Sequence, residues 1–387
     1  MVLVFQGRVP RSRILKTQMK YYIIAGEASG DLHGANMIKE LIKLDPQAEI
    51  RAWGGDLMAE AGADVVKHYN ELAFMGFLEV AKNIRTIQKN FKRCKADISA
   101  FMPHTVIFID YPGFNLRMAR WAKEQAYRTQ YYISPTIWAW NTKRVHQIKA
   151  YVDQMFTILP FESTVYQKYG YQDHFVGHPL LDAIDHAHFD PIPTDNTKKT
   201  IALLPGSRKQ ELDKILPVIS KVVKAMPNYN FIIAAVPWQD LSVYQSHFSN
   251  QINNLSIEVD KTYNILQSAD AAIVTSGTAT LETALFNVPQ VVIYKTSTIT
   301  YTLAKTFAKV KNISLPNLIL DKEILKELIQ SECTPKNIIK EVKLLFDEKA
   351  RAEILTHYNT LHNRLGNKGA SKRVAQAIYK DITSNLS

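Results

Sequence analysis

Short apolar runs alternate with longer stretches of helical spacing, and this pattern constrains the fold of the chain more than any other feature. In the second half the runs are Thr200–Leu204, Asn230–Ala235, Ser256–Val259, Ala271–Thr275 and Gln290–Tyr294. Short continuous apolar runs bounded by turn residues are typical of strands buried on both faces of a sheet. Their alternation with helices predicts an α/β fold with a doubly wound parallel sheet.

The first half repeats the pattern, so the chain has enough strands for two such sheets. The predicted strands there are Lys20–Ala25, Ile50–Gly55, Thr105–Asp110, Gln130–Ile133, Gln154–Leu159 and Phe175–Pro179. A length of 387 residues with 46% hydrophobic composition is also typical of two domains with large cores.

The domain limits follow from the segment Asp185–Lys199, which contains Pro191 and Pro193 and reads as a linker. We therefore predict one domain over 19–190, a second over 191–345, and C-terminal helices over 346–387. Residues 1–18 carry four basic residues and no acidic one, with an apolar start too short for a signal peptide. We interpret them as an extension or an alternative start, disordered and outside the fold.

Charge and cysteine content narrow the function classes. The net charge of +11 favours anionic partners, which include nucleic acid, membrane lipid and phosphorylated substrates. The absence of zinc-finger, RRM or KH signatures and of a dense basic stripe argues against nucleic acid. Cys94 and Cys333 lie far apart without metal-ligand spacing, which argues against a disulfide framework and a zinc site and favours a reducing compartment. No apolar run approaches the roughly 20 residues that cross a bilayer.

The sequence IALLPGSR, residues 201 to 208, ends a predicted strand in an anion-binding turn. Ligands of parallel sheets bind beyond the carboxyl ends of the strands. Gly206 allows close backbone approach, Ser207 offers its hydroxyl and N–H, and Arg208 offers a bidentate fork to phosphate. The alternative is a surface loop with a solvated arginine.

A second turn of the same kind, TSGTATLE, follows the predicted strand Ala271–Thr275. Ser276, Gly277 and Thr278 would wrap a diphosphate at a helix N-terminus, and Glu282 would accept from ribose hydroxyls. The spacing matches neither the dinucleotide fingerprint nor the Walker phosphate loop.

The first predicted strand also ends in a glycine turn, GEASGD. Gly26 permits tight turning, and Glu27 and Ser29 present polar groups where an acceptor substrate would bind. Ser29 or Asp31 serving only as a helix N-cap is the alternative.

Asp110 ends the predicted strand TVIFID and would project into the same region. A carboxylate in reach of a substrate hydroxyl takes its proton as a general base. The alternative is a turn residue that caps local backbone.

Three further residues are candidates for acceptor contacts. Ser134 and Arg144 flank the aromatic segment that contains Trp138 and Trp140, and His178 follows the last strand of the first half. Packing is the alternative for the aromatic residues, and a structural histidine is the alternative for His178.

Residues 72 to 95 combine an apolar cluster with a basic, amphipathic continuation. The cluster is Phe74, Met75, Phe77 and Leu78, and the basic residues are Lys82, Arg85, Lys89, Lys92, Arg93 and Lys95. Such a segment suits a membrane interface, where basic residues meet anionic head groups. A helix that packs on its own core is the alternative.

Six motifs in one order resemble the lipid-A-disaccharide synthase family of GT-B-type glycosyltransferases. The motifs are AGEASGD, the segment IDYPGFN, SPTIWAW, LLPGSR with SGTATLE, and SLPN at residues 314 to 317. The resemblance implies two Rossmann-like domains with a cleft between them and inverting transfer from UDP-2,3-diacylglucosamine to 2,3-diacylglucosamine 1-phosphate, forming a β-1′,6 linkage.

The resemblance also implies residue roles and a cellular location. It implies that Asp110 is the catalytic base, that Arg208 assists departure of UDP, and that Asn317 binds or orients the donor. The C-terminal helices would cross back onto the first domain. The enzyme of this Gram-negative pathway would lie on the cytoplasmic face of the inner membrane, bound to anionic lipids, as a monomer or homodimer.

No metal and no cofactor are expected, since the chain contains no D-x-D sequence to hold a divalent ion on a diphosphate. Two other functions stay open. One is a UDP-N-acetylglucosamine epimerase or a soluble GT-B sugar transferase, and the other is a membrane-surface protein that binds a sugar nucleotide without chemistry.

Overall fold

The computed structural model describes residues 18–72, 84–139, 142–185, 189–195, 197–248, 253–297, 301 and 311–386. These residues form two parallel sheets, one from strands of the first half and one from strands of the second half. Helices connect successive strands within each sheet, which confirms the predicted α/β class.

Seven strands of the described residues form the first sheet, in the order β3-β2-β1-β4-β5-β6-β7. Their bounds are β1 Lys20–Ala25, β2 Glu49–Gly54, β3 Asp64–His68, β4 Thr105–Ile109, β5 Arg128–Tyr132, β6 Gln154–Thr157 and β7 His174–Phe175. β4 is buried along its whole length, as its unbroken apolar sequence predicts.

The second sheet has six strands within the described residues, in the order β10-β9-β8-β11-β12-β13. Their bounds are β8 Thr200–Leu204, β9 Asn230–Ala235, β10 Leu255–Val259, β11 Ala271–Thr275, β12 Gln290–Tyr294 and β13 Glu327–Ile329. Successive side chains of β8 enter two different clusters, with Ile201 and Leu203 in one and Ala202 and Leu204 in the other. Both faces of this sheet are therefore covered, as in a doubly wound fold.

The helices of the first half, with a 3₁₀ turn at Tyr69–Glu71, are α1 Ala28–Leu44, α2 Asp56–Glu60, α3 Ile84–Phe101, α4 Pro112–Glu124, α5 Arg144–Tyr151, α6 Glu162–Gln167 and α7 Leu180–Asp185. Those of the second half are α8 Lys209–Ala225, α9 Leu241–Gln245, α10 Thr262–Ser268, α11 Thr278–Leu285, α12 Leu315–Leu320, α13 Pro335–Leu344, α14 Glu348–Arg364 and α15 Ala370–Leu386.

The chain divides into two compact units that do not follow a single cut. One unit takes the residues up to Tyr132, Ala150–Gln154 and the residues from Lys372 on. The other takes Ile133–Lys149 and Met155–Ser371. The predicted domain limits at 190 and 345 stay predictions.

The last two helices make their polar contacts with different sheets. On α14, the hydroxyl of Tyr358 donates to the carbonyl of Val288 at 3.1 Å, beside the second sheet. On α15, Asp381 accepts two hydrogen bonds from Arg128 of β5, at 2.7 and 2.6 Å, and one from Gln130 at 2.7 Å. Asp381 is largely buried, and the two hydrogen bonds from the Arg128 guanidinium compensate its negative charge.

All eleven predicted strands overlap strands of the structure, but β3 and β13 were missed. Both are edge strands, and β13 has only three residues. An edge strand is open on one side, so its sequence need not form the apolar run that identifies a central strand.

Candidate functional site

Each sheet has a point where the strand order reverses, and the predicted polar turns lie there. In the first sheet this point lies between β1 and β4, which Glu27 and Asp110 follow in sequence. In the second sheet it lies between β8 and β11, which are followed by Ser207 and Ser276. The connections that follow two such adjacent strands run in opposite directions, which opens a crevice at the carboxyl ends of the strands, where ligands of such sheets bind.

The backbone of Asp110 has a strained conformation that several groups hold in place. Asp110 and Tyr111 both have left-handed φ, at +44° and +48°. The carbonyl of Asp110 accepts from the Tyr131 hydroxyl at 2.6 Å and from Asn115 Nδ2 at 2.8 Å, while its N–H donates to the carbonyl of Tyr132 at 3.0 Å. Consecutive non-glycine residues in this region are costly and concentrate at functional sites, so the conformation itself supports a role for Asp110.

The side chain of Asp110 has the electrostatics of a base that works near neutral pH. Burial, and then the nearby negative charge of Glu27, raise the pKa of Asp110 to about 7, opposed by a hydrogen bond from the Tyr111 backbone. An ionised carboxylate held out of water gains proton affinity and therefore becomes a better base. The structure thus brings together Glu27 and Asp110, two residues that lie far apart in sequence.

Gly26 is required by close packing against Tyr111. A Cβ atom at Gly26 would lie 2.4 Å from Cγ of the Tyr111 ring, a distance that no side chain tolerates. The ring also stacks on Phe114 at 5.7 Å. Gly26 therefore supports the turn that holds Asp110, while Ser29 lies exposed in the first turn of α1, where ligand contact remains open to it.

Asp31, the other candidate cap, has a structural role toward a different helix. It is buried and accepts from the backbone N–H groups of Gly55 at 2.7 Å and of Leu57 and Met58, each at 3.2 Å. These donors belong to the start of α2, so Asp31 caps α2 rather than α1.

The turn after β8, Gly206 to Arg208, is the anion-binding turn that the sequence predicts, and we call it the anion socket. Gly206 has a φ of +106°, which favours glycine, and Ser207 and Arg208 are exposed. Arg208 immediately precedes α8, and its Nη1 lies 3.3 Å from Oε1 of Glu211 in the first turn of the helix. The other oxygen of Glu211 would lie 2.7 Å from a Cβ at Gly206, so this carboxylate occupies the space over the glycine.

In the turn after β11, two of the predicted ligand-binding residues are exposed and the third is hydrogen-bonded within the fold. Gly277 and Thr278 are exposed, and a Cβ at Gly277 would have nothing within 4 Å, which leaves open space in front of α11. The first N–H groups of a helix have no partner within it and attract anions. Ser276 is committed elsewhere, since its hydroxyl donates to the carbonyl of Ile313 at 2.9 Å and its N–H to that of Ile293 at 3.0 Å.

Glu282 is paired with an aromatic hydroxyl. Tyr263, in the first turn of α10, donates to its Oε1 at 2.7 Å. Burial raises the pKa of Glu282, and the hydrogen bond from Tyr263 opposes this shift. The carboxylate of Glu282 is therefore held near the first turn of α10, the helix that follows β10.

Asn317 has no capacity left for a direct contact with a donor. It is fully buried, and its Nδ2 donates to the carbonyl of Leu325 at 2.9 Å and to Glu327 at 2.8 Å. Its Oδ1 accepts from the N–H groups of Ile324 and Leu325, both at 2.9 Å. Because every hydrogen-bond donor and acceptor position of the amide is used within the fold, the structure favours a supporting role for Asn317, and its predicted part in orienting the sugar donor stays a prediction.

Ser134 and His178 are also engaged internally. Ser134 is buried, with its Oγ 2.7 Å from the Tyr166 hydroxyl. His178 is buried and accepts from the N–H of Leu180 at 3.3 Å, at the start of α7. Arg144 begins α5 and is half-buried. The contacts of Ser134 and His178 favour the structural alternative, and ligand contact by Arg144 stays a prediction.

Trp138 is held by a buried carboxylate. Its Nε1 lies 3.4 Å from Oε1 of Glu162, whose other oxygen accepts from the N–H groups of Ile158 at 3.1 Å and Leu159 at 3.0 Å. Burial raises the pKa of Glu162 to about 7 despite these bonds. Trp138 is thereby anchored but only half-buried, so both packing and substrate contact stay open for it, while Trp140 lies outside the described residues.

The apolar cluster Phe74, Met75, Phe77 and Leu78, together with Lys82, lies outside the described residues. The helix that follows, α3, buries Asn90, Cys94, Ile98 and Phe101, so its apolar face packs on the core. Its outer face presents exposed basic residues, namely Arg85, Lys89, Lys92 and Arg93, with Lys95 half-buried. In the described part of the segment the apolar face packs inward, and contact of the exposed basic face with a membrane stays a prediction.

Among the residues that the structure describes, no group of three or more His, Cys, Asp or Glu side chains could hold a metal ion. No helix in the described ranges is both long and apolar enough to cross a membrane.

Four residues of the two crevices escaped sequence reasoning. Tyr111 and Asn115 lie within the motif IDYPGFN, whose aspartate alone was assigned. Glu211 is the acidic residue of the first turn after PGSR, and Trp238 lies in the loop after β9. Their positions relative to strand ends were available signals, but their contacts depend on which strands are neighbours.

Comparison with known proteins gives agreement over nearly the whole chain. A family model described as Lipid-A-disaccharide synthetase matches residues 21–380. A curated Lipid-A-disaccharide synthase of Geobacter metallireducens is 35% identical over 388 residues, covering 97% of this chain and 98% of the relative. One from Coxiella burnetii is 36% identical over 379 residues, covering 94% and 98%.

Solved structures share the architecture at low identity. A UDP-GlcNAc 2-epimerase from Neisseria meningitidis bound to UDP-GlcNAc has a TM-score of 0.67 at 13% identity, covering 94% of this chain and 100% of that one. The glycotransferase of kitacinnamycin has a TM-score of 0.66 at 13% identity, covering 94% and 99%. These likenesses show the fold, which glycosyltransferases and epimerases have in common.

Proposed function

Because the chain belongs to the lipid-A-disaccharide synthetase family and is a glycosyltransferase, we propose that it joins two acylated glucosamine units into the lipid A disaccharide. The donor is UDP-2,3-diacylglucosamine and the acceptor is 2,3-diacylglucosamine 1-phosphate. The products are the β-1′,6-linked disaccharide 1-phosphate and UDP. The observation that carries the proposal is the family match along the chain. It is supported by Asp110, which has a strained backbone and a raised pKa at the switch point of the first sheet, and by the anion socket at the switch point of the second sheet.

Asp110 acts as the general base in this mechanism. Its carboxylate takes the proton of the acceptor's 6-hydroxyl while that oxygen forms a bond to the anomeric carbon of the donor. The bond from the anomeric carbon to the diphosphate breaks, its electron pair leaves with UDP, and the configuration inverts. A pKa of about 7 suits this task, since about half of the base is ionised near pH 7 and the ionised form retains high proton affinity.

The second unit stabilises the departing diphosphate. Arg208 supplies a positive fork, the N–H groups at the starts of α8 and α11 supply aligned dipoles, and Thr278 adds a hydroxyl. Groups already in position where charge develops lower the barrier with little reorganisation. These groups meet the charge without a metal ion, so the rate should survive excess EDTA, and a loss restored by Mg²⁺ would refute this part of the mechanism.

The test is to incubate the pure protein with both substrates and follow UDP release and disaccharide formation by mass spectrometry. Asp110→Ala should lower the rate by about 10²–10⁴-fold and leave UDP affinity nearly unchanged, because the base acts on the acceptor. Glu60→Ala, which removes an exposed carboxylate at the end of α2, is the matched control. A mutant that keeps more than about a tenth of the rate would remove Asp110 from the role.

The same experiment separates the alternatives. An epimerase would convert the sugar nucleotide without acceptor and without releasing UDP, and a binding protein would release none. Either outcome would refute glycosyl transfer in this chain.

We also propose that the enzyme binds the cytoplasmic face of the inner membrane reversibly, because both substrates are lipids. The support from the described residues is the exposed basic face of α3, with Arg85, Lys89 and Lys92 at successive helical turns. Basic residues near an anionic bilayer contribute about 1 kcal/mol each, and salt screens this attraction.

Charge reversal at these three positions, Arg85→Glu, Lys89→Glu and Lys92→Glu, should weaken co-sedimentation with vesicles that contain anionic phospholipid. The matched control is the same reversal at Lys336, Lys340 and Lys343, which are exposed at the same spacing on α13. Equal binding by the two triple mutants would show that net charge, and not the face of α3, governs membrane contact. A companion variant with serine at Phe74, Met75, Phe77 and Leu78 tests the apolar cluster in the same assay.

A further inference from the structure

Trp238 is a large aromatic residue left exposed beside the anion socket. It lies in the short loop between β9 and α9, and 55% of its surface is exposed. Its indole N–H donates to the carbonyl of Ser207 at 3.2 Å, so the ring is tied to the turn that ends in Arg208. An exposed aromatic surface that is anchored in place is available to a flat apolar ligand.

The loop that carries Trp238 is held at both ends. The N–H of Val236 donates to the Tyr244 hydroxyl at 3.2 Å, and Gln239 closes a turn by donating to the carbonyl of Val236 at 3.3 Å. Asp240 then caps α9 by accepting from the N–H of Ser242 at 2.8 Å. The ring is therefore presented by an ordered backbone, which lowers the entropy lost when a ligand covers it.

The strand order indicates which way a bound nucleotide extends from the socket. A diphosphate at the crevice between β8 and β11 has β9 and β10 on one side and β12 on the other. The side with β9 and β10 carries exposed apolar surface, since Val259 at the end of β10 is 43% exposed. Glu282, the residue predicted to bind ribose, is hydrogen-bonded to Tyr263 of the helix that follows β10. The polar and apolar surfaces that suit a nucleoside thus lie toward β9 and β10.

We propose that Trp238 is the stacking platform for the pyrimidine base of the donor nucleotide. The diphosphate binds between Ser207 and Thr278, and the base covers the exposed indole face. This inference rests on the proposed function, since it assumes a nucleoside diphosphate sugar as donor. Stacking tolerates any planar base, so Trp238 provides affinity while discrimination among bases falls to other groups.

The test compares ligands with and without a base. Trp238→Ala should weaken UDP binding, measured by calorimetry, by about tenfold or more, whereas inhibition of transfer by inorganic pyrophosphate should change little. Trp238→Phe keeps a π face and should bind UDP within a few-fold of the wild type. In wild-type protein UDP should quench tryptophan fluorescence, and the quench should disappear in Trp238→Phe but persist in Trp121→Phe, the control.

Three outcomes would overturn the proposal. If Trp238→Ala binds UDP as the wild type does, no base rests on the indole. If it loses UDP and pyrophosphate equally, the indole only shapes the Ser207 turn. If Trp238→Phe loses as much UDP affinity as the alanine variant, the hydrogen bond to Ser207 and not stacking is responsible. Failure of the proposed function is distinct, because wild-type protein would then form no disaccharide.

Discussion

Glu27 tunes the proton affinity of Asp110, and its removal should shift the pH dependence of transfer. The perturbation is Glu27→Gln, which keeps size and hydrogen-bonding capacity but removes the negative charge that helps raise the pKa of Asp110 to about 7. Burial is the larger cause and stays, so the pKa should fall without returning to the ordinary value of 3.8. The acidic limb of the rate profile should therefore move to lower pH.

The magnitude follows from the ionised fraction of the base. With a pKa of about 7, Asp110 is about one-tenth ionised at pH 6 and about nine-tenths ionised at pH 8. In the wild type, kcat/KM at pH 6 should thus be about a tenth of its plateau. A pKa lower by one unit would raise the ionised fraction at pH 6 to about a half, an easily measured change.

The assay is kcat/KM for disaccharide formation between pH 5 and pH 9, with substrates in detergent. Glu60→Gln is the control, since it removes the same charge from an exposed site at the end of α2. A limb at the same pH in wild type and Glu27→Gln would refute the coupling of the two carboxylates. A wild-type limb near pH 4 would refute the assignment of the limb to Asp110.

Three other predictions concern Asp110, Arg208 and Asn317. Burial raises the pKa of Asp110 in the folded state, so the stability that Asp110 contributes is present at low pH and is lost as pH rises through about 7. Asp110→Asn should therefore raise the melting temperature more at pH 8 than at pH 5, and a lower melting temperature of the variant at pH 8 would contradict this. Arg208→Ala should weaken UDP binding and slow transfer together, with only partial rescue by lysine, which lacks the fork; unchanged UDP affinity by calorimetry would place Arg208 outside the site. Asn317→Ala should lower the free energy of unfolding in urea by about 1–3 kcal/mol or more, because the N–H groups of Ile324 and Leu325 lose their acceptor; an unchanged urea midpoint would argue against the structural role.

The sequence by itself determined the fold class and the strand ends at which the candidate residues lie. Unbroken apolar runs such as TVIFI and TIALL can be buried only between two layers, and their alternation with helices leaves few arrangements other than a doubly wound sheet. The turn residues after these runs identified Asp110, Gly206 and Arg208, since a polar side chain that follows a buried strand emerges at its carboxyl end. Local pattern was sufficient because these properties depend on neighbours in sequence.

Only the tertiary structure decided which candidates are available to a ligand. Asn317 and Arg208 are each the last residue of a sequence motif. The amide of Asn317 is nevertheless fully hydrogen-bonded, with Glu327 and the Leu325 backbone among its partners, whereas Arg208 is exposed. The pKa of Asp110 depends on Glu27, which stands 83 positions earlier and becomes a neighbour only because β1 pairs with β4. Burial, saturation of hydrogen bonds and the coupling of charges depend on distances across the sheet, and sequence order does not contain those distances.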